Sequence, residues 1–103
     1  MIPPLSEKQC AELFKALADE TRLKILHLLF EQQRFVNDLE EELQLPQSLV
    51  SHHLKVLKTS GLVESWRDGQ KICYTLHPHV RDKLSQTTQE TLNLGCCEVT
   101  FRS

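Results

Sequence analysis

Residues 45–76, LPQSLVSHHLKVLKTSGLVESWRDGQKICYTL, decide the fold because they join an amphipathic helix directly to a hairpin. At about 3.6 residues per turn, residues 47–59 divide completely into a polar and an apolar face. The polar face holds Gln47, Ser48, Ser51, His52, Lys55, Lys58 and Thr59, and the apolar face holds Leu49, Val50, His53, Leu54, Val56 and Leu57. Polar groups on a firmly packed helix are what base edges and phosphates require, although a solvated amphipathic helix has the same pattern.

The residues after this helix predict a two-stranded hairpin. Ser60 and Gly61 provide a helix stop, because glycine readily adopts the left-handed conformation of a C-terminal cap. Residues 62–67 then have strand character, Asp68 and Gly69 form a turn signal, and residues 70–76 return with alternating apolar side chains. Upstream, an apolar pattern over residues 36–43 predicts a short helix, joined to residues 47–59 by a tight connection. This order is that of a winged helix-turn-helix.

The flanking segments predict further helices. Residues 6–18 have an apolar stripe that includes Cys10, and Asp19 can cap a buried central helix over residues 20–31. A last helix is predicted over residues 78–94, with a thin, threonine-rich face made of Val80, Leu84, Thr87, Thr91 and Leu94. The predicted fold is therefore mainly α with a small β-hairpin, in the order α-α-α-α-β-β-α.

Size and composition favour a single small domain. We expect one unit over residues 1–103, with residues 1–5 and 95–103 as flexible tails, because the chain has 103 residues and 40% hydrophobic content. No segment resembles a membrane span or a secretion signal, so we expect a cytoplasmic protein whose four cysteines are thiols. Nor does the sequence contain a phosphate loop or a nucleophile beside a base, so we expect no enzymatic activity.

The net charge of −2 is unusual for a nucleic-acid binder, but its distribution is uneven. Residues 46–71 contain four basic and two acidic side chains, whereas residues 31–45 contain one basic and five acidic side chains. We therefore expect weak binding by one chain, and useful affinity for double-stranded DNA from a two-fold homodimer. Base edges are assigned to Gln47, Ser48, Ser51 and His52, and phosphates to Lys55, Lys58, Arg67 and Lys71. His53, within the apolar face, is predicted to be a buried histidine with a hydrogen-bond partner.

Three motifs resemble the ArsR/SmtB family of metal-sensing repressors. They are LFKALADETRLKIL at residues 13–26, LVSHHLKVL at residues 49–57 with GLV at 61–63, and RDG at 67–69 with YTL at 74–76. The resemblance covers residues 13–94. It implies a homodimeric winged-helix repressor that sits on an operator near a promoter and loses DNA affinity when an inducer binds. We expect no required cofactor.

The family's two familiar metal sites look absent from this sequence. Many members carry Cys-Val-Cys-Asp where this chain has FVND at residues 35–38. Others bind zinc through aspartate and histidine on the last helix, but residues 89–92 contain no histidine.

Cysteines offer an alternative sensing site. Cys96 and Cys97 are adjacent and could bind one soft ion together. Cys10 is the leading third thiol, because the family's first and last helices pack together. Three thiolates suit trivalent arsenic or antimony, whereas zinc or cadmium normally takes a fourth ligand. The resemblance therefore favours an arsenite or antimonite sensor with a relocated site.

Other interpretations of the same residues stay open. Cys10 could be a small buried apolar residue, Cys96 and Cys97 could be incidental thiols in a tail, and Cys73 is predicted to be structural or incidental rather than a ligand. The thiols could instead sense oxidants or reactive sulfur through a bridge between Cys10 and the adjacent pair. A zinc or cadmium sensor of the same fold is a further alternative. The winged helix could also serve only as a protein-interaction module.

Overall fold

The computed structural model describes residues 5–81 and 90–101. Over these residues the helices are α1 (Glu7–Leu17), α2 (Glu20–Glu31), α3 (Val36–Leu43) and α4 (Gln47–Thr59). The strands are β1 (Arg34–Phe35), β2 (Val63–Asp68), β3 (Lys71–Leu76), β4 (Glu90–Asn93) and β5 (Glu98–Phe101). One antiparallel sheet has the order β1-β3-β2, and β4 pairs with β5 in a second one. None of the described helices has the length and apolar character needed to cross a bilayer.

Local side-chain chemistry sets where the first two helices begin. The Ser6 hydroxyl accepts from the Gln9 amide at 3.2 Å, and the Gln9 side chain accepts from the Ser6 amide at 2.8 Å, which is a capping box. The Asp19 carboxylate accepts from the Arg22 amide at 3.0 Å and caps α2 as predicted. These caps position α1 and α2, which carry several of the residues of the candidate site.

The core lies between α2, α3, α4 and the three-stranded sheet. Ile25, Leu26 and Leu29 of α2 are fully buried, which confirms the prediction of a central helix. They belong to one apolar cluster with Leu39 of α3 and with the buried side of α4. Removing apolar surface of this kind from water stabilises a fold by roughly 25 cal/mol per Å². The helix-turn-helix is therefore fixed by packing on its inner side, which leaves its outer side available.

A short strand that the sequence analysis did not predict precedes α3. Arg34 and Phe35 pair with Tyr74 and Cys73 of β3, respectively. The Arg34 guanidinium is buried and donates to Glu31 at 2.7 Å, to Glu42, and to a backbone carbonyl of α2. A two-residue strand has no detectable periodicity, and its partner is distant in the sequence, so the pattern alone could not reveal it.

The last helix predicted over residues 78–94 is wrong at every described position: residues 78–80 form a turn, Arg81 forms a β-bridge with Leu92, and residues 90–93 form a strand. Leu84 and Thr87 of its predicted face lie outside the described residues, but Thr91 lies in β4, and Leu94 follows that strand. Likewise, the tail predicted from residue 95 instead forms the turn and second strand of a β4–β5 hairpin over residues 90–101. Thr91 pairs with Thr100, and their hydroxyl oxygens are 3.1 Å apart. β-Branched side chains and a turn glycine favour strands here over the helix that the spacing suggested.

The β4–β5 hairpin docks on α2. His27 Nδ1 lies 2.7 Å from a Glu90 carboxylate oxygen, and the His27 ring contacts the Phe101 ring edge-on with centroids 4.8 Å apart. Nearby, the Arg81 guanidinium donates to the carbonyls of Leu29 and Phe30 at 2.8 and 3.2 Å. These contacts hold the hairpin so that its turn, residues 94–97, has a defined position.

Candidate nucleic-acid interface and thiol cluster

The polar face of α4, the recognition helix, is open to solvent along its whole length. All seven residues of that face are exposed, namely Gln47, Ser48, Ser51, His52, Lys55, Lys58 and Thr59. On the other side, Val50, Leu54 and Leu57 are fully buried, as the pattern predicted. Leu49 differs from the prediction, because it lies in the first turn and is 39% exposed. The helix thus presents hydroxyl, amide, imidazole and ammonium groups from a firmly packed base.

His53 is buried and hydrogen-bonded, which confirms the prediction made for it. Its Nδ1 lies 3.1 Å from Nη1 of Arg22 and 3.7 Å from a carboxylate oxygen of Asp19. A guanidinium can only donate, so Nδ1 accepts and the neutral ring carries its proton on Nε2. Burial lowers the pKa of His53, the Asp19 carboxylate opposes this, and the Arg22 charge lowers it further.

Arg22, the hydrogen-bond partner of His53, was not predicted from the sequence. The only indication in the sequence was indirect, since a buried histidine needs a partner. Which residue supplies the partner depends on how α2 and α4 cross, and the helical pattern does not encode that crossing.

The wing, which is the β2–β3 hairpin, directs two of the residues predicted to meet phosphates, Arg67 and Lys71, to opposite faces. Lys58 of the recognition helix donates to the Ser65 hydroxyl of β2 at 2.8 Å. Because side chains alternate along a strand, Arg67 projects to the same face as Ser65. Lys71 pairs with Asp68 and projects to the opposite face, where its ammonium lies 5.4 Å from the centroid of the Phe35 ring. Only Arg67 therefore shares a wing face with the end of the recognition helix.

Cys10, Cys96 and Cys97 form a thiol cluster within one chain. Their sulfur atoms all lie within 4.8 Å of one another, and all three residues are half-buried. Cys10 and Cys96 form a disulfide with their Cα atoms 6.1 Å apart, while Cys97 has a free thiol whose sulfur is 3.8 Å from that of Cys96. The expectation that all four cysteines are thiols is therefore wrong for Cys10 and Cys96, because the hairpin turn brings Cys96 against α1. Residues 5–81 and 90–101 contain no other such group of three histidine, cysteine, aspartate or glutamate side chains.

The turn of the β4–β5 hairpin positions two of these sulfurs. The Leu94 amide donates to the Cys97 carbonyl at 2.9 Å, and the Gly95 amide donates to the Asn93 side chain at 2.9 Å. Gly95 has φ +87°, a conformation that suits glycine, and Leu5 lies against it. Cys96 and Cys97 thus lie in an ordered turn that faces α1, which carries Cys10.

Cys73, the fourth cysteine, stands apart from the thiol cluster. It is 1% exposed in the middle of β3, paired with Trp66 on one side and Phe35 on the other. Burial raises the pKa of the Cys73 thiol, and the Asp68 and Asp38 carboxylates raise it further. A thiol held protonated in a sheet is a poor metal ligand, which agrees with the structural role predicted for it.

Comparison with known proteins places this arrangement in a family. The family model described as "Bacterial regulatory protein, arsR family" matches residues 19–65. The chain is similar to the HTH-type transcriptional repressor SmtB of Mycobacterium tuberculosis, with 46% identity over 68 residues, 66% of this chain and 50% of that protein. It thus spans half the length of that relative. It is also similar to the arsenical resistance operon repressor of Staphylococcus aureus, with 37% identity over 94 residues, 89% of this chain and 90% of that protein.

A solved structure agrees with the sequence relatives. It is the solution structure of the homodimeric winged helix-turn-helix DNA-binding domain of a possible ArsR-family transcriptional regulator from Mycobacterium bovis. The two chains share 32% identity and superpose with a TM-score of 0.66, over 74% of this chain and 76% of that one. Since both the fold and the sequence match, the chain belongs to the ArsR family of bacterial regulatory proteins.

Proposed function

We propose that this protein is a homodimeric DNA-binding repressor that leaves its operator when trivalent arsenic or antimony binds Cys10, Cys96 and Cys97. The observation that carries the proposal is the convergence of three sulfur atoms within 4.8 Å of one another. The arsenical resistance operon repressor of Staphylococcus aureus, which matches most of the chain, supports the same inducer class. The reducing cytoplasm, where thiols persist, is the expected setting.

On the DNA side, the polar face of the recognition helix enters the major groove. Gln47, Ser48, Ser51 and His52 lie in its first turns and would meet base edges, as the leading residues of recognition helices do. Lys55, Lys58 and Arg67 would meet phosphates, and Lys71, which projects to the opposite face of the wing, would make the weakest of these contacts. The overall charge of −2 gives one chain little general attraction to DNA. The affinity therefore comes from two recognition helices and two wings joined in a dimer.

On the sensing side, arsenite is matched by the number and the type of ligands. In its neutral form, As(OH)₃, it exchanges three hydroxyl groups for three thiolates, and each thiol proton leaves with a hydroxyl as water. The disulfide between Cys10 and Cys96 occupies two of the three sulfurs, so two thiol molecules of the reducing cytoplasm must first supply two electrons and two protons to it and become a disulfide themselves. Zinc and cadmium favour four ligands, and the thiol cluster offers three.

Operator release by inducers tests the proposal. Binding of reduced protein to the DNA upstream of its own gene is followed by gel shift, with arsenite, antimonite, zinc or cadmium added. Wild type should release DNA with arsenite and antimonite, and Cys10→Ser, Cys96→Ser or Cys97→Ser should each raise the concentration needed at least tenfold. Cys73→Ala, which removes a thiol outside the cluster, is the matched control and should respond like wild type. A full response without the cluster thiols would refute the arsenic site, and the absence of a specific gel shift would favour a protein-interaction module.

A second function is favoured by the disulfide itself. Cys10 and Cys96 could report oxidants or reactive sulfur, because the two thiols lose two electrons and two protons when they form the bond. Peroxide accepts these electrons and becomes water. Mass spectrometry of protein exposed separately to arsenite, peroxide and polysulfide distinguishes the alternatives. A redox sensor would release DNA on oxidation and be insensitive to arsenite.

A further inference from the structure

Arg22 links α1, which carries Cys10, to the recognition helix by hydrogen bonds. An open groove of about 690 Å³ separates α1 from α4. Over residues 5–81 and 90–101, no direct hydrogen bond joins these two helices. Arg22, which belongs to α2, lines this groove and bonds to both sides of it.

On the α1 side, Arg22 holds carbonyls of the last helical turn. Its Nε donates to the Ala16 carbonyl at 2.7 Å, and its Nη2 donates to the Lys15 carbonyl at 3.3 Å. Carbonyls at a helix end lack partners within the helix, so an arginine is a natural donor to them. α1 also carries Cys10, which lies six residues before Ala16, about 9 Å along the helix axis. A displacement of α1 at Cys10 therefore moves the carbonyls that Arg22 binds.

On the α4 side, Arg22 holds the neutral His53 ring through Nδ1 at 3.1 Å. His53 is buried on the inner side of the recognition helix, and His52, its neighbour, lies on the exposed DNA side. The planar guanidinium has fixed donor directions, so it constrains the rotation of α4 as well as its distance from α1. A lysine has a single ammonium and cannot reproduce this fork.

We infer that Arg22 is a positioning residue that sets the recognition helix for DNA and transmits the state of the thiol cluster to it through α1. The claim that Arg22 transmits the state of the thiol cluster rests on the proposed function. The claim that Arg22 positions the recognition helix rests only on the hydrogen bonds of Arg22. Allosteric coupling requires two sites and an element whose arrangement both of them bias, and α1, Arg22 and α4 provide that element.

The test compares Arg22→Met, which has a similar length and no donors, with Lys24→Met. Lys24 is an exposed residue of the same helix, so its substitution removes an equal charge. Operator affinity is measured at several salt concentrations, and arsenite binding is measured on reduced protein without DNA. Arg22→Met should bind DNA about tenfold more weakly with an unchanged salt slope, because Arg22 positions α4 without meeting a phosphate. Lys24→Met should stay within twofold of wild type.

Transmission through Arg22 is tested by the ratio of the operator affinity measured without arsenite to the operator affinity measured with arsenite. We expect wild type and Lys24→Met to show a ratio of at least tenfold, and Arg22→Met to show a ratio close to one while still binding one arsenite per chain. In wild type, nitrogen NMR should show Nδ1 of His53 unprotonated, and arsenite should shift this signal. In Arg22→Met the shift should be absent. Arg22→Lys serves as a second variant if Arg22→Met does not fold, and we expect it to restore only part of the affinity.

The outcomes separate this inference from the proposed function. If wild type does not bind arsenite, the proposal that arsenite is the inducer is wrong. The DNA affinity and salt slope of Arg22→Met still test whether Arg22 positions the recognition helix. If wild type does not bind DNA, the proposed repressor fails, and a protonated Nδ1 on His53 would overturn the Arg22 contact. An Arg22→Met protein with wild-type affinity, or with a salt slope lowered by about one phosphate, would overturn the positioning role. If Arg22→Met binds DNA more weakly but its ratio of operator affinity without and with arsenite equals that of wild type, Arg22 does not transmit the state of the thiol cluster.

Discussion

His53 shows how a residue can be predicted to be buried while its partners remain unknown. Its place among Val50, Leu54 and Leu57 predicted burial, and general physical chemistry required a hydrogen bond for it. That the donor is Arg22, with Asp19 beside it, follows from the crossing of two helices. The pairing has a consequence for the pH dependence of stability.

We predict that the protein loses stability as pH falls below about 6.5, the ordinary histidine pKa, because the folded state lowers the pKa of His53. Below that pH His53 takes up a proton in the unfolded chain but not in the folded chain. The free energy of unfolding therefore decreases as the pH is lowered, until the pH reaches the lowered pKa of the folded state. Urea unfolding at pH 7.5 and pH 5.0 measures this loss. His53→Gln keeps an acceptor for Arg22 and should reduce the loss. His53→Leu should cost about 1 kcal/mol at pH 7.5. An equal loss for wild type and His53→Gln would contradict the assignment.

Arg67 should matter more than Lys71 for DNA binding. Arg67 lies on the wing face that meets the end of the recognition helix, whereas Lys71 lies on the other face above the Phe35 ring. We expect Arg67→Ala to weaken binding to all sequences and to lower the salt slope by about one, because one phosphate contact is lost. Lys71→Ala should change both quantities less. Fluorescence anisotropy on operator and unrelated DNA measures them, and a change in base preference without a salt effect would place Arg67 in the groove instead.

At the scale of elements, the prediction succeeded where the signal is local. Helices α1 to α4 and the wing follow from apolar spacing, from the cap at Asp19, and from the turn at Gly69, all within a few residues of one another. β1 pairs with β3, which is distant in the sequence, so no local signal marks it. The β4–β5 hairpin is local, but the apolar spacing over residues 78–94 was given more weight than its strand and turn signals and was misread as helical. Cys10, Cys96 and Cys97 were predicted as a group, and the structure brings their sulfur atoms together, but the prediction attributed this to two packed helices. A hairpin turn brings the adjacent pair to α1 instead.

The turn at Gly95 should therefore be critical for the thiol cluster. Gly95 has φ +87°, and a Cβ added there would lie 3.3 Å from the Leu5 side chain. Gly95→Ala should destabilise the protein by about 1–2 kcal/mol, the cost of a left-handed alanine, and weaken arsenite binding to reduced protein several-fold. Gly69→Ala is the matched control, since Gly69 also has a positive φ of +66° but no neighbour within 4 Å. It should lose similar stability and keep arsenite affinity, so equal arsenite binding by both variants would exclude a positioning role for the Gly95 turn.

At the scale of the whole molecule, charge and exposure together favour assembly. A chain with net charge −2 has little general attraction to DNA, so one recognition helix and one wing give weak binding. Phe14 of α1 is 47% exposed, on the helix that carries Cys10. The homodimeric Mycobacterium bovis domain supports a pairing of two such chains. The same helix would then take part in sensing and in pairing, which would allow the inducer to change the spacing of two recognition helices.

We predict that the reduced protein is a dimer in solution and that Phe14→Glu shifts it toward monomer, because a charge replaces an apolar side chain at the pairing surface. Analytical ultracentrifugation over a range of concentrations measures the shift. Ile72→Glu is the control, since Ile72 is a large apolar residue of the wing with 39% exposure and should leave the dimer intact. Losing the dimer removes the gain in effective concentration, so Phe14→Glu should bind the operator at least tenfold more weakly. A wild-type monomer that still binds a two-fold operator tightly would show that pairing happens only on DNA, and the inducer would then act on each chain separately.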